Sequence, residues 1–380
     1  MSKTSNKKVY QLGEHSKAKI ACYTNYLRMY LNILAYSRFD KIYILDLFAG
    51  EGRDVLLEPC SSVAAAEIIK EHYDIQPKTC KSILFYLNDA GNSVIEKGVK
   101  KIDRVQHFIE NVKLPLSVDI KYSDKKFEAI IDLLIERLNK LKSSERALCF
   151  IDPFGYKYSK PEKIKGLLSN GKTEIILFIP ICFLHRFAAK AVKDEDYKGG
   201  KHIEEFLSVI FDNKIPEIGN QILFIKKIQT QFKIYLQIPY VDVMFIEKDK
   251  GQYFALFFFS NNKLGFEKML EAKWKIDENN GHGFKVNANT IKINLFDNID
   301  HDNYMYILYN EIKLRKKMSN QEIFDFGLDN NHLPRHSLKV LQQLKRDKNI
   351  KVTTENGIDA INFYIDDNHE KTVFCIPLNN

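Results

Sequence analysis

Cysteine is scarce and unpaired in this chain. Cys22, Cys60, Cys80, Cys149, Cys182 and Cys375 are scattered over 380 residues with no C-x-x-C. That spacing excludes a disulfide framework and offers no zinc module, and it fits a reducing compartment. Cys149 and Cys182 lie inside apolar runs and read as small buried hydrophobes. Long apolar runs are also missing. The longest, Ile175 to Leu184, is about half of what a bilayer span needs. The segment from Met1 to Lys8 is polar and lacks the apolar centre of a signal peptide. These absences predict a soluble cytoplasmic protein with no membrane contact and no metal site. There is no P-loop, internal repeat or low-complexity tract. The one tryptophan, Trp274, reads as core packing.

What is present is apolar and mildly basic. Hydrophobic residues make up 45% of the chain, with 26 Phe and 19 Tyr, ample for a packed core. Lys and Arg total 57 against 49 Asp and Glu, a net charge of +8. Spread over this length, that is a weak bias toward a polyanionic partner such as DNA or RNA. The length itself predicts more than one domain.

The most informative stretch runs from Ile42 through Leu45, Asp46, Leu47, Phe48 and Ala49 to Gly50, Glu51 and Gly52. An apolar, β-branched run ending in an acid and a G-x-G is how a buried parallel strand delivers the backbone to a nucleotide-like cofactor. With one glycine fewer than the dinucleotide fingerprint, it suits a cofactor without a pyrophosphate, and S-adenosylmethionine (SAM) is the candidate.

Around that strand, helix and strand alternate. A helix is predicted over 15–37, then the glycine-ended strand, then a crossover helix through Ala64, Ala65 and Ala66. A second strand, Ile83 to Leu87, ends at Asn88 and Asp89, and a charged helix near 91–110 follows. An extended piece, Val118 to Ile120, leads to Ser123 and Asp124, and a helix covers 126–141. The fourth strand, Ala147 to Ile151, ends in Asp152-Pro153-Phe154-Gly155, and the fifth, Glu174 to Ile179, ends near Pro180. Such alternation means βαβ units and a mostly parallel sheet. Beyond it, Tyr240 to Glu247 and Gln252 to Ser260 read as a hairpin closing one sheet edge, the typical finish of SAM-dependent methyltransferases. The expected first domain is therefore 1–300, a Rossmann-like class I methyltransferase fold.

The second expected domain, 301–380, holds helices near 304–316, Asn320 to Phe326 and Pro334 to Asp347. Ile350 to Thr353 is expected to pair with Ala360 to Tyr364 across a Glu-Asn-Gly turn. Three helices and a hairpin describe a winged-helix-like module. Lys339, Lys345, Arg346, Lys348 and Lys351 surround its third helix and suit phosphate neutralisation, although a solvated face or a partner interface carries the same pattern.

The helix His15-Ser16-Lys17-Ala18-Lys19, the motif from Leu45 to Arg53, LDLFAGEGR, and the FIDPFG strand end from Phe150 to Gly155, in that order, together resemble the three-Cys-motif partner protein family. Ser260, the Trp274 helix and Arg186 also look like features of that family. The resemblance implies a class I methyltransferase-like fold with a C-terminal helical module, and a partner protein with three cysteines resembling radical-SAM enzymes. Glu51 stands where the family usually has proline, and Asn88 where it usually has an acid.

The expected site follows from these elements. Asp46, Gly50 and Gly52 would cradle SAM, with Asp46 ordering the loop or accepting from the ligand's ammonium, and Phe48 packing beneath it. Asn88 or Asp89 would receive the ribose hydroxyls. Ser123 and Asp124 would meet the adenine amino group, or else cap a helix. Asp152, Pro153 and Phe154 resemble the D-P-P-Y tetrapeptide of enzymes that methylate exocyclic amino groups, whose acceptors aim the nitrogen lone pair while the aromatic stacks on the base. Pro59-Cys60 sits after the wrong strand for a cytosine C5 nucleophile. His185 and Arg186 follow strand five, in reach of a phosphate or in a solvated loop. The expected function is SAM-dependent methylation of nucleic acid; a non-catalytic accessory protein binding nucleic acid and the three-cysteine partner is the alternative.

Overall fold

A computed structural model describes residues 10–76, 81–153, 155–193, 201–216, 219–249, 251–278, 281–285, 301–367 and 372–378. The chain divides into two compact units: Met1–Ala272 with Phe284–Val286, and Lys273–Gly283 with Asn287–Asn380.

The first unit is built on an 8-stranded sheet of order β3-β2-β1-β4-β5-β7-β6-β8. Its strands are β1 (Lys41–Asp46), β2 (Ser82–Asn88), β3 (Val118–Ser123), β4 (Glu145–Ile151), β5 (Thr173–Ile179), β6 (Tyr240–Asp249), β7 (Gln252–Ser260) and β8 (Gly283–Lys285). β1 lies between β2 and β4, parallel to both, while β7 pairs antiparallel with β5 and β6. In β1, Ile42 to Asp46 are all buried, as a strand covered on both faces requires.

Helices flank this sheet. α1 (Glu14–Ala35) buries Ala18, Cys22, Tyr26, Leu31 and Leu34, a stripe at three- to five-residue steps. Its Tyr23 ring stacks on Phe150 of β4 at 4.3 Å. α2 (Ser61–Ile75) buries three consecutive alanines, Ala64 to Ala66, where small side chains permit close approach. α3 (Lys101–Val112) starts about ten residues later than its charge pattern predicts. The stretch before it turns back on itself through a bridge between Asn92 and Lys100. Its preceding polar residues are engaged in loop bonds, described below. α4 (Phe127–Asn139), α5 (Pro161–Leu168), α6 (Ile181–Lys193), α7 (Lys201–Ile210), α8 (Gln221–Leu236) and α9 (Lys263–Trp274) complete the set. Among the described residues no helix is long and apolar enough to cross a membrane.

The second unit contains α10 (His301–Arg315), β9 (Met318–Ser319), α11 (Asn320–Asp329), α12 (Pro334–Arg346), β10 (Ile350–Thr354) and β11 (Val373–Pro377). Ser319 caps α11 in a reciprocal capping box with Glu322. Trp274, 5% exposed, donates from its indole nitrogen to the Asn331 carbonyl at 2.9 Å. The sheet order is β10-β11-β9. The hairpin expected between 350–353 and 360–364 is corrected here. The Glu-Asn-Gly segment does turn, with Thr354 N donating to Ile358 O, Ala360 N donating to Val352 O and a single antiparallel bridge between Thr353 and Asp359, but the ladder partner of β10 is β11. The loop between them is longer than a tight hairpin, so local turn chemistry did not reveal the partner.

Candidate functional site

β1 and β4 are neighbours whose chains then run to opposite halves of the sheet, β1 toward β2 and β4 toward β5. The crevice outside their carboxyl ends is a topological switch point, where open α/β sheets receive ligands. Asp46, the glycine loop and Asp152 flank it.

Asp46 is fully buried. Its Oδ1 accepts from Phe48 N at 3.2 Å and its Oδ2 from the Ser61 hydroxyl at 2.6 Å. Both oxygens are thus engaged in ordering the turn between β1 and α2. Burial raises its pKa to about 7, against the lowering effect of those two bonds, and Asp152 and Asp89 add to the rise.

The glycine loop is anchored from three sides. Ala49 N donates to Asn88 O at 2.9 Å, and Gly50 N donates to Asp89 Oδ2 at 3.0 Å. Asp89 also accepts from Gly91 N at 2.7 Å. Glu51, 1% exposed, accepts from Val94 N at 2.8 Å, the Ser93 hydroxyl at 2.7 Å and Arg104 Nη1 at 2.7 Å. A buried charge needs such satisfaction, and the Glu51–Arg104 pair supplies it. Glu51 is thus a carboxylate clamp from the glycine loop to α3. Gly50 and Gly52 both adopt positive φ, 69° and 76°. A side chain at Gly52 would crowd Phe108 and Val105 of α3, whereas at Gly50 the nearest atom is the Phe48 carbonyl at 4.0 Å. Gly52 serves packing, and Gly50 leaves open space.

At the end of β2, Asn88 is 2% exposed. Its amide nitrogen donates to Leu47 O at 3.3 Å, and its Oδ1 is buried without a partner. Ser123 sits beside it in register, its hydroxyl accepting from Lys125 N at 3.4 Å. Asp124 is exposed and paired with Lys100 at 2.5 Å; that ammonium lowers its pKa. Phe48 is half-buried, with its ring 5.2 Å from Phe127 and 5.4 Å from Tyr158.

Across the crevice, Asp152 forms an ion pair through Oδ2 with Lys19 of α1. Lys19 is buried, and its ammonium also lies 4.3 Å over the Phe178 ring. Asp152 is partly exposed, and no residue among those described bonds its Oδ1. Pro153 is buried, and Phe154 lies outside the described residues. Tyr10 enters the same neighbourhood, with its hydroxyl 4.0 Å from Cys60 Sγ; burial raises both groups, Cys60 to about 11, so a cysteine nucleophile has no support here. His185 and Arg186 are on α6, where His185 Nε2 lies 2.7 Å from Gly219 O and the Arg186 guanidinium 5.9 Å from the Phe183 ring.

Lys19 enters the sequence reading only as part of the helix that carries the family resemblance, and Arg104, Phe127 and Tyr158 do not enter it. Lys19 and Arg104 each carried a weak signal, a cation on the apolar-facing part of a helix.

No family model matches the chain, and no curated protein does. The resemblance to the three-Cys-motif partner proteins thus rests on the motifs quoted above. Among solved structures 18 chains match. One is the O-methyltransferase TomG from Streptomyces achromogenes, involved in tomaymycin synthesis and in complex with SAM. It is 11% identical, with 67% of this chain and 92% of that one covered and a TM-score of 0.33. Another is a putative O-methyltransferase from Klebsiella pneumoniae, 10% identical over 63% of this chain and 80% of that one, with a TM-score of 0.31. Likeness at this level leaves the chemistry of the site to its own residues.

Proposed function

We propose that the crevice between β1 and β4 binds SAM and that the protein methylates an exocyclic amino group of a nucleic-acid base. The observation that carries this reading is the pairing of an open glycine turn with Asp152, whose Oδ2 is held by Lys19 and whose Oδ1 bonds no other described residue. The residues fit SAM on two further counts. Asn88 Oδ1 is a buried acceptor without a partner, suited to a ribose hydroxyl, and the half-buried Phe48 ring lies at the crevice with Tyr158. Gly50 and Asp89 would line the ligand's path; Asp46 acts from behind, by fixing the turn.

SAM, when bound, supplies an activated methyl group on its sulfonium. The chain's own task is then orientation. Lys19 fixes one edge of the Asp152 carboxylate, so its Oδ1 presents a stationary acceptor to an amino N–H. The Pro153 carbonyl is proposed as the second acceptor. Ser123 and Asp124, at the end of β3, are assigned to the adenine side, with Asp124 first releasing Lys100.

For the second unit we propose a winged-helix reading, which is supported by β9, α11, a short turn, α12 and the strands β10 and β11 that pair with one another. Lys339, Arg346, Lys348 and Lys351 are exposed around α12 and β10, while Lys345 is tied to Asp359 and the Ala360 carbonyl. We assign that face to nucleic-acid phosphates.

A non-catalytic reading also has a specific observation in its favour. Asp46 and Glu51 spend their carboxylates on internal bonds, and Asn88 is neutral where an acid would hold the ribose. In that case the chain docks nucleic acid and a three-cysteine radical-SAM-like partner without turning over SAM. Calorimetric titration with SAM and S-adenosylhomocysteine decides between them. Methyl transfer requires saturable binding that Gly50→Val abolishes; no heat at millimolar SAM overturns it.

A further inference from the structure

At the opposite end of the same sheet's parallel strands, where β5 begins and β7 ends, lies a cavity of about 320 Å³. That volume is at the lower end of small-molecule sites. Its floor carries Glu174, which is buried. Glu174 accepts from the Tyr26 hydroxyl through Oε2 and from the Ser260 hydroxyl at 2.6 Å through Oε1. It forms no ion pair among the described residues. A carboxylate taken out of water without a counter-cation is costly, and burial accordingly raises its pKa. Space is kept for this group deliberately in the fold: a side chain at Gly265 of α9 would strike its Oε1.

Two further features of the cavity wall are unsatisfied. The Tyr30 hydroxyl is buried with no hydrogen-bond partner, although Tyr30 is only 7% exposed. Arg146 and Lys172 line the cavity as cations hydrogen-bonded to backbone carbonyls with no carboxylate partner among the described residues, and the Arg146 guanidinium also lies 3.7 Å from the Phe39 ring. Arg146 Nη1 donates to Ser143 O at 3.0 Å and Glu145 O at 2.7 Å, and Lys172 Nζ donates to Leu141 O at 2.5 Å. The third cation at the cavity, Lys268, is already neutralised by Glu267 and Glu271 at 3.1 Å. Arg146 and Glu174 feel each other's charge yet do not touch. Opposite charges at two sides of an apolar, ring-lined space call for a ligand that carries both charges. Tyr26, Tyr30 and Phe39 provide the rings.

We propose that this cavity binds a small zwitterion, with its ammonium on Glu174, its carboxylate toward Arg146 and Lys172, and an apolar body against the tyrosine rings. The site is separate from the crevice at the carboxyl ends of β1 and β4 and does not depend on methyl transfer there. Equilibrium titration of the full-length protein with L-phenylalanine, 2-phenylethylamine and 3-phenylpropanoate tests it. These three probes share a body and differ in carrying both charges, the ammonium alone or the carboxylate alone. L-phenylalanine is expected to bind at least ten times more tightly than either analogue. Glu174→Gln and Arg146→Leu should each weaken it at least tenfold, while Asp152→Asn leaves it unchanged. Because Glu174→Gln removes a core carboxylate and can unfold the protein, Tyr30→Phe provides a milder variant, expected to weaken binding severalfold. Absence of saturable phenylalanine binding at millimolar concentration overturns the proposal. So does equal affinity for a singly charged analogue, or indifference to Arg146→Leu and Tyr30→Phe together.

Discussion

The two ends of the parallel strands in the large sheet handle carboxylates in different ways. At the carboxyl ends of β1 and β4, Glu51 meets Arg104 and Asp152 meets Lys19, while Asp46 between them is bonded by a hydroxyl and a backbone amide. At the amino ends, Glu174 meets only hydroxyls. Matched charges hold a loop in one conformation, because breaking the pair leaves an uncompensated ion in the interior. A carboxylate satisfied by hydroxyls alone keeps its electrostatic demand open to an incoming cation. The Glu51 and Asp152 pairs thus hold rigid the surroundings of a space, whereas Glu174 awaits a charge still to arrive.

Arg104→Leu should have the largest effect on this contrast. It strands Glu51, and urea unfolding should report a loss of about 3–5 kcal/mol. The matching change at the amino ends, Arg146→Leu, breaks no ion pair and should cost about 1 kcal/mol or less, plus lost packing on Phe39. Equal costs would erase the distinction between the two ends.

Asp152→Ala comes next. It leaves Lys19 without its anion and removes the free Oδ1, so methyl transfer to a nucleic-acid substrate should fall about 100-fold in kcat, with SAM binding retained. Wild-type turnover in this variant would remove Asp152 from the mechanism. Lys19→Met should lower kcat less, since the acceptor stays but loses its fixed edge.

Asp46 sharpens the comparison through pH. Its pKa rises from about 4 in the unfolded chain to about 7 in the folded one. The folded protein therefore holds the proton more tightly, and ionisation favours unfolding. The Asp46 contribution is full below about pH 4, shrinks as pH rises toward 7 and is constant above. Wild type should lose stability relative to Asp46→Asn over that window, by at most about 1.4 kcal/mol per pH unit. Parallel stability curves for the two proteins would contradict the assigned shift. The smallest effect is expected in the second unit, where Lys339→Ala should reduce the salt dependence of nucleic-acid binding by about one phosphate contact.

The sheet was legible because its signals are local. The run from Ile42 to Gly52 announces a buried strand and a turn within a dozen residues, and the structure has β1 there with two positive-φ glycines. The partners of the acids were not legible. Lys19 and Asp152 are 133 positions apart, and Arg104 and Glu51 are 53 apart. In each case a helix must fold back before a cation reads as part of a site. For Asp46 the sequence leaves two roles open, ordering the loop or meeting the ligand, and the bonds from Phe48 N and the Ser61 hydroxyl to its two oxygens favour the first. The β10 ladder failed for the related reason that a good turn, Glu-Asn-Gly, outweighed a strand that returns later in the chain.

The way the first described residues lie has a practical side. Tyr10 O accepts from Val55 N at 3.2 Å, and Leu12 N donates to Asp54 Oδ2 at 2.9 Å, so the chain enters α1 along the segment that follows the glycine loop. Asp54→Ala would therefore loosen the entry to α1 and the segment after the glycine loop together, a coupling that limited proteolysis of the variant would read.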